Sequence, residues 1–572
     1  MFHGDIREVR GKFRTDGQVL IRKPRIKAEE TIGRIECSVS GQAKRHGLSR
    51  DPRVHAMVEA ADLIIGIDAG TSVMKAVAFT LAGRQIASAS VRNTYRTGED
   101  GAVTQSLDQT WLDCTRALRG LAEKVEGLAK RTAAIAVTGQ GDGTWLVGAE
   151  NRPAGDAWLW LDARAAPTVE RLAAADADRV RFSATGTGLN TCQQGTQLAH
   201  MDQYFPELLA EAETAMHCKD WLYLNLTGIR ATDPSEVSFT FGNFRTRRYD
   251  DDVLAALGLT HRRSLLPEVI EGTQTVHPLT AEAAAASGLV AGTPVCLGYV
   301  DMVMTALGAG VRSEGRNAAC SAIGSTGVHL LAKPVGDVVL NAERTGYVIT
   351  LPIPGIVTQV QTNMGATINL DWLLQLGVDL LGEFGIPVGL DEMITRIDPW
   401  FAESRPGNIL YHPYISEAGE RGPFVNARAR ANFTGLASRH RYPDLVRAVV
   451  EGLGMATRDC YAAMGALPPE LRISGGAARS VALRGTLAAA LGAPVRVSSR
   501  EEAGAAGASM MAAVAIGAYR TMDDCIADWV TPELGTAEPP APQGTERMTR
   551  LFAAYSDVRR GIAPAWDILA AH

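Results

Sequence analysis

LIIGIDAGTSVMKAVAFT, residues 63–80, reads as two apolar strands joined by a tight polar turn. Where the chain only has to reverse, it carries Asp68, Gly70, Thr71 and Ser72, with Lys75 in the returning strand. A turn of small residues presents its backbone N–H groups as a concave cluster that accepts an anion such as phosphate. The Thr71 and Ser72 hydroxyls add donors, and Lys75 adds positive charge. A carboxylate beside a phosphate is repulsive unless Mg2+ stands between them, an ion that keeps several waters and takes one or two carboxylates. Asp68 is therefore the candidate metal residue. The alternative is a hairpin whose polar groups only cap the turn. The stretch matches neither GxxxxGK[ST] nor GxGxxG, so neither of those phosphate-loop inferences applies.

Working outward, RQIASASV (84–91) adds a third strand, and the periodicity from Trp111 to Lys130 predicts an amphipathic helix. TAAIAVTGQGDG (132–143) is a strand running into a glycine loop. The second half repeats the theme. AACSAIGSTGVHLL (318–331) is a strand, a GSTG turn and a return strand, YVITLPI and IVTQVQT extend that sheet, and LRISGGAA (471–478) ends in glycines before a helix over 481–491. Strands alternating with helices indicate α/β architecture. Two hydroxyl-glycine turns, one per half, predict two similar lobes holding one ligand between them, with a boundary near residue 312. Gly324 and Ser325 belong to the second turn. Gly475, Gly476 and Ala477 form a backbone that a flat base can approach closely.

With 46% hydrophobic and 21% charged residues the composition is that of a soluble globular protein. A net charge of −6 provides no field toward nucleic acid or an anionic membrane. The eight cysteines form no CxxC pair or zinc spacing, which fits reduced thiols in a cytoplasmic protein. No apolar run approaches the ~18 residues of a membrane span. The small-residue stretch 504–519 suits a helix pressed against a sheet. Residues 1–53 hold thirteen Lys/Arg against seven Asp/Glu. Segment 1–56 therefore reads as a basic, disordered extension, or as residues ahead of a start at Met57.

The loop TGQGDGTWL (138–146) holds Gln140, Gly141 and Asp142. Gln140 can donate and accept, and Asp142 can accept from two neighbouring hydroxyls, as a neutral polyol requires. Trp145, Trp158 and Trp160 are either apolar pocket walls or core. Asp162 and Arg164 either touch substrate or form an ion pair that braces the loop. Asp301, in GYVDMVMTALGAG, is a helix-start acid that either caps or acts as a base.

Taken together, IDAGTS, GSTG, SGGAA, FVNARARANFTGL and GYVDMVMTALGAG resemble the FGGY carbohydrate kinases of the actin/Hsp70/hexokinase-like superfamily, over Leu63 to about Ala563. The resemblance implies two ribonuclease-H-like lobes, each a mixed sheet flanked by helices, with a cleft between them. Residues 57–312 would form the lobe for substrate, Mg2+ and base, and 313–572 the nucleotide lobe. It implies Asp301 as catalytic base and Asp68 as the magnesium-linked acid. Gly70, Thr71, Ser72, Lys75, Gly324 and Ser325 would contact phosphate, and Gly365, Asn369, Gly475, Gly476 and Ala477 the nucleotide. Ser325 stands where a threonine is common, and SGGA replaces GGGA. Gly141-Asp142 replaces the Met-His of relatives that act on ketopentoses. TGTGLNTCQQGTQL, HCKDWLYLNLTG and DPSEVSFTFGNFRTR resemble the branch of the family that acts on erythritol. The implied reaction is ATP-dependent phosphorylation of a terminal hydroxyl of a small polyol, erythritol giving erythritol 4-phosphate. The alternatives are another sugar or polyol (xylulose, another pentulose, threitol) or, without catalysis, a nucleotide-dependent interaction protein. Nucleic acid and membrane partners are not expected, and a homo-oligomer is compatible with the family.

Overall fold

The structure, a computed structural model, describes residues 61–571; the expectations for segment 1–56 lie outside the described residues. The first sheet begins with the meander read from the sequence: β1 (Leu63–Ala69), β2 (Val73–Thr80) and β3 (Gln85–Arg92), antiparallel, with Asp68 opposite Lys75. β4 (Thr132–Gly139) runs parallel to β1, placing Thr138 beside Asp68. After β5 (Val276–Pro278), β6 (Pro294–Leu297) pairs parallel to β4, giving the order β5-β6-β4-β1-β2-β3.

Strands covered on both faces read as continuous apolar runs, and β1 and β4 do. Leu63, Ile65 and Ile67 pack with Cys114, Leu118 and Leu121 of helix Leu107–Lys124. Ile64, Ala134 and Ala136 face the opposite way, onto Ala505, Ala508 and Met511 of helix Ala503–Ala515. That second helix is the small-residue stretch expected to press against a sheet. It comes from the far end of the chain, yet it covers the first sheet. The helix predicted over 111–130 instead runs Leu107–Lys124, because Ser106 caps it by accepting from the Gln109 N–H. A left-handed Gly127 then opens a separate turn, Leu128–Arg131.

The second sheet contains β7 (Ala319–Ile323), β8 (Gly327–Pro334), β9 (Tyr347–Thr350), β10 (Ile356–Asn363), β11 (Leu471–Ser474) and β12 (Val495–Val497), in the order β9-β10-β8-β7-β11-β12. Setting aside β5 and β9, the two sheets share one plan. An antiparallel meander is extended on its first strand by two parallel strands. In such α/β sheets ligands sit outside the carboxyl ends of the parallel strands. The turns at 70–72 and 324–326 stand at that end, each after the first strand of its lobe. No described helix is long and apolar enough to cross a membrane.

Candidate active site

Three parallel strands, β1, β4 and β6, deliver the chemistry of the first lobe. Asp68 is the penultimate residue of β1. β4 continues into Gln140, whose N–H donates to Ala69 O at 2.9 Å. β6 leads through Gly298 and Tyr299 to Asp301. The Thr138 hydroxyl donates to Tyr299 O at 2.6 Å, tying the second strand end to the third. Asp301 opens helix Asp301–Gly308, and Val300 occupies the cap position. Asp301 is thus not the capping residue.

Asp68, Asp142 and Asp301 are each partly exposed. Burial and the nearby Asp68 carboxylate push Asp301 up to about 8; Asp142 contributes, while the Met302 N–H and Lys219 oppose. Burial raises Asp68 to about 6, against the pull of Lys75. Burial also lifts Asp142 to about 7, offset in part by the Cys192 thiol, which donates to its Oδ2 at 3.3 Å. Three carboxyls with raised pKa around one end of a sheet make this a candidate functional site. Among the described residues no cluster of three or more His, Cys, Asp or Glu could hold a metal by itself. A Cβ on Gly504 would lie 2.5 Å from Asp68 Oδ2. The start of helix Ala503–Ala515 therefore sits against this carboxylate, where the helix dipole favours negative charge.

The turn after β1 is braced from several sides. Asn93 Nδ2 donates to Gly70 O at 2.6 Å, the Thr71 hydroxyl donates to Gln140 Oε1 at 3.1 Å, and Trp160 Nε1 donates to Thr71 Oγ1 at 2.7 Å. Ser72 is exposed. Lys75 Nζ is paired with Glu502 Oε2 at 2.8 Å. Glu502 is 427 residues away in sequence, and no local pattern announces it.

Gln140 is buried, its Oε1 accepts from the Thr71 hydroxyl, and its Nε2 donates to Gln105 Oε1 at 3.2 Å. These bonds brace the turn. Trp145 is fully buried in the core of the first sheet, so it is not a cleft wall. Asp162 is fully buried. It accepts from the Val103 N–H at 2.8 Å and grips Arg164 with Nη2 at 2.6 Å, and the guanidinium lies 3.4 Å over the Trp158 ring. Asp162 and Arg164 therefore form an ion pair that is tied to Val103. Asn369 is buried too. Its Nδ2 donates to Ala366 O at 3.0 Å and its Oδ1 accepts from the Tyr411 hydroxyl at 2.9 Å. Gly365 is buried beside it. Gly141 packs against the residue preceding Asp301: a Cβ there would lie 2.3 Å from Val300 Cγ2.

In the second lobe, Gly324, Ser325 and Thr326 are exposed. The Ala366 N–H donates to Ser325 O at 2.7 Å, and the Thr367 N–H to Gly324 O at 2.9 Å. The loop 364–367 therefore backs the GSTG turn. Gly475, at φ +87°, abuts the end of β7, with a Cβ position 2.7 Å from Ile323 O. Only glycine tolerates both that φ and that approach. Gly324 and Gly476 face open space, and Ala477 is buried behind them.

One cluster went unassigned in the sequence. HCKDWL and DPSEVS place His217, Lys219, Asp220, Asp233 and Glu236 together, all buried. Lys219 Nζ lies 2.7 Å from Asp220 and 2.5 Å from Asp233. The local signals are the Asp233 cap ahead of Pro234 and Asp220 three residues after His217, from whose N–H it accepts.

With this geometry in place, the comparisons give a family. The FGGY family of carbohydrate kinases matches by its N-terminal domain over residues 63–308 and its C-terminal domain over residues 320–516. The chain belongs to the FGGY family of carbohydrate kinases. An FGGY relative from Brucella abortus (strain 2308), an erythritol kinase, is 72% identical over 515 residues, 90% of this chain and 99% of that protein. The xylulose kinase of Escherichia coli (strain K12) is 29% identical over 74% of this chain and 84% of its own. Among solved structures, the xylulose kinase from Rhodospirillum rubrum superposes with a TM-score of 0.79 at 24% identity, over 88% of this chain and 100% of that one. The chain therefore shares the fold of that solved FGGY-type kinase.

Proposed function

We propose that this FGGY kinase transfers the γ-phosphoryl group of ATP to a terminal hydroxyl of erythritol, giving erythritol 4-phosphate and ADP. The observation that carries this reading is the 72% identity to an erythritol kinase across nearly its whole length. The Gly141-Asp142 loop placed beside Asp301 is consistent with it. The lobe up to residue 312 would hold polyol and base, and the lobe from 313 the nucleotide.

In this reading Asp301 accepts the proton of the terminal hydroxyl, the oxygen forms a bond to the γ-phosphorus, and the bond from that phosphorus to the β–γ bridging oxygen breaks toward ADP. Phosphoryl transfer needs little else beyond positioning and charge stabilisation. Asp142, with Oδ1 buried and unpaired, accepts from polyol hydroxyls. The turns at 70–72 and 324–326 hold the phosphates through their N–H groups. Asp68 fits Mg2+, which when bound would neutralise phosphate charge beside it. Glu502 keeps Lys75 in place at the rim of the turn. Lobe closure would exclude water and with it wasteful ATP hydrolysis.

The test is ADP release over erythritol, threitol, pentitols and xylulose. Erythritol should give the highest kcat/KM. A higher value for xylulose would replace the polyol assignment with a pentulose one.

A further inference from the structure

Between the two sheets runs the short helix Pro234–Thr240, whose residues are all buried. At its start, Asp233 Oδ1 accepts from the Ser235 N–H at 2.8 Å and from the Ser235 hydroxyl. Ser235 Oγ in turn accepts from the Val300 N–H at 3.0 Å. Val300 is the residue immediately before Asp301, and it is the residue on which Gly141 packs. The other carboxylate oxygen of Asp233 is held by Lys219, itself fully buried and also gripped by Asp220. Asp220 is fixed further by the His217 N–H at 3.1 Å. Glu236, one residue beyond Ser235, brings its Oε1 within 3.6 Å of the Cβ position of Gly141. The main chain ahead of Asp301 and the QGDG loop thus rest on one buried ionic cluster.

The same helix reaches the other lobe. The Thr350 N–H donates to Ser238 Oγ at 3.4 Å, and Phe239 packs edge-on against Tyr347 with ring centroids 5.9 Å apart. Both Tyr347 and Thr350 belong to β9. Tyr347 also approaches the QGDG loop, since its hydroxyl is 3.7 Å from Cys192 Sγ, the thiol that donates to Asp142.

We infer that Lys219, Asp233 and Ser235 are a positioning relay for Asp301, and that helix Pro234–Thr240 ties this relay to edge strand β9 of the nucleotide lobe. None of the three is a catalytic residue, because none reaches the cleft. The cluster fixes where the base stands, and the helix makes that position depend on how the second lobe is seated. A buried charge cluster is expensive to assemble, and replacing such groups with apolar ones is often neutral or stabilising. Its place directly behind the base gives the chain a reason to carry it. The inference rests on the reading of Asp301 as base.

Ser235→Ala is the mild probe, since it removes one hydroxyl and leaves the ion pairs intact. Small displacements of a reacting group cost on the order of 10- to 100-fold in rate. The variant should lose about that much kcat, with KM for erythritol and for ATP within about twofold of wild type and a modestly lowered melting temperature, because the buried Val300 N–H loses its acceptor. Ser235→Thr, which keeps the hydroxyl, should regain most of the loss. Unchanged kcat in Ser235→Ala, or a loss expressed mainly in KM, overturns the relay. A loss that Ser235→Thr does not relieve, although that variant melts like wild type, overturns it as well. Asp301→Asn measured alongside separates the two levels. If it is inactive while Ser235→Ala is normal, the relay fails and the base reading stands. If Asp301→Asn turns over normally, the base reading itself fails.

Discussion

Gly141 lies against Val300 with no room for a side chain between them: a Cβ on Gly141 would stand 2.3 Å from Val300 Cγ2. The loop that carries Asp142 is therefore seated directly on the residue that precedes Asp301. The relative position of Asp142 and Asp301 thus depends in part on one van der Waals contact.

Gly141→Ala must shift either the loop or Val300. Given the sensitivity of transfer reactions to such displacements, kcat/KM for erythritol should fall by at least about tenfold, while KM for ATP stays close to wild type. Steady-state kinetics with each substrate varied in turn checks this. Equal effects on both substrates would place the disturbance elsewhere.

Asp142 gives a pH dependence of stability. Burial raises its carboxyl to about 7, above the ~3.9 of an unfolded aspartate. A raised carboxyl binds its proton more tightly in the folded state. Its contribution to stability is complete below the unfolded pKa and is lost as pH rises through about 7. Asp68 and Asp301 act in the same direction. The free protein should therefore melt at lower temperature at pH 8 than at pH 5.5, and Asp142→Asn should narrow that difference. A melting temperature that rises over this interval would contradict the assignment.

Asp162→Ala distinguishes bracing from substrate contact. It strands Arg164 and the Val103 N–H in a buried place, a class of change that costs about 3–5 kcal/mol. A large drop in melting temperature is expected, with KM for erythritol little changed in the protein that remains folded. A stable variant with a greatly raised KM would return Asp162 to the pocket.

Much of the fold was legible because it is periodic and local. The apolar runs of β1 and β4, the turns at 70–72 and 324–326, and the glycines after β11 are each decided by neighbouring residues. The position of Asp301 was legible as well, as an acid at the start of a small-residue helix. Side-chain commitments across long separations could not be read. Lys75 is charged and near a phosphate turn, yet its partner Glu502 comes from the far end of the chain. Nor do the motifs of Gln140 and Asn369 announce their bonds to Thr71, Gln105, Ala366 and Tyr411. Trp145 carries no local mark that separates a cleft wall from a core residue, and the Lys219 cluster exists only once residues 217–220 and 233–236 are brought together.

The central claim is that one acid, Asp301, strips the proton from an alcohol presented beside a nucleotide. Erythritol-dependent ADP release by Asp301→Asn, with ATP binding to the same sample followed by calorimetry, tests it most directly. A fall in kcat of about 10²- to 10⁴-fold with ATP affinity retained is the predicted result. Turnover within a fewfold of wild type would contradict it.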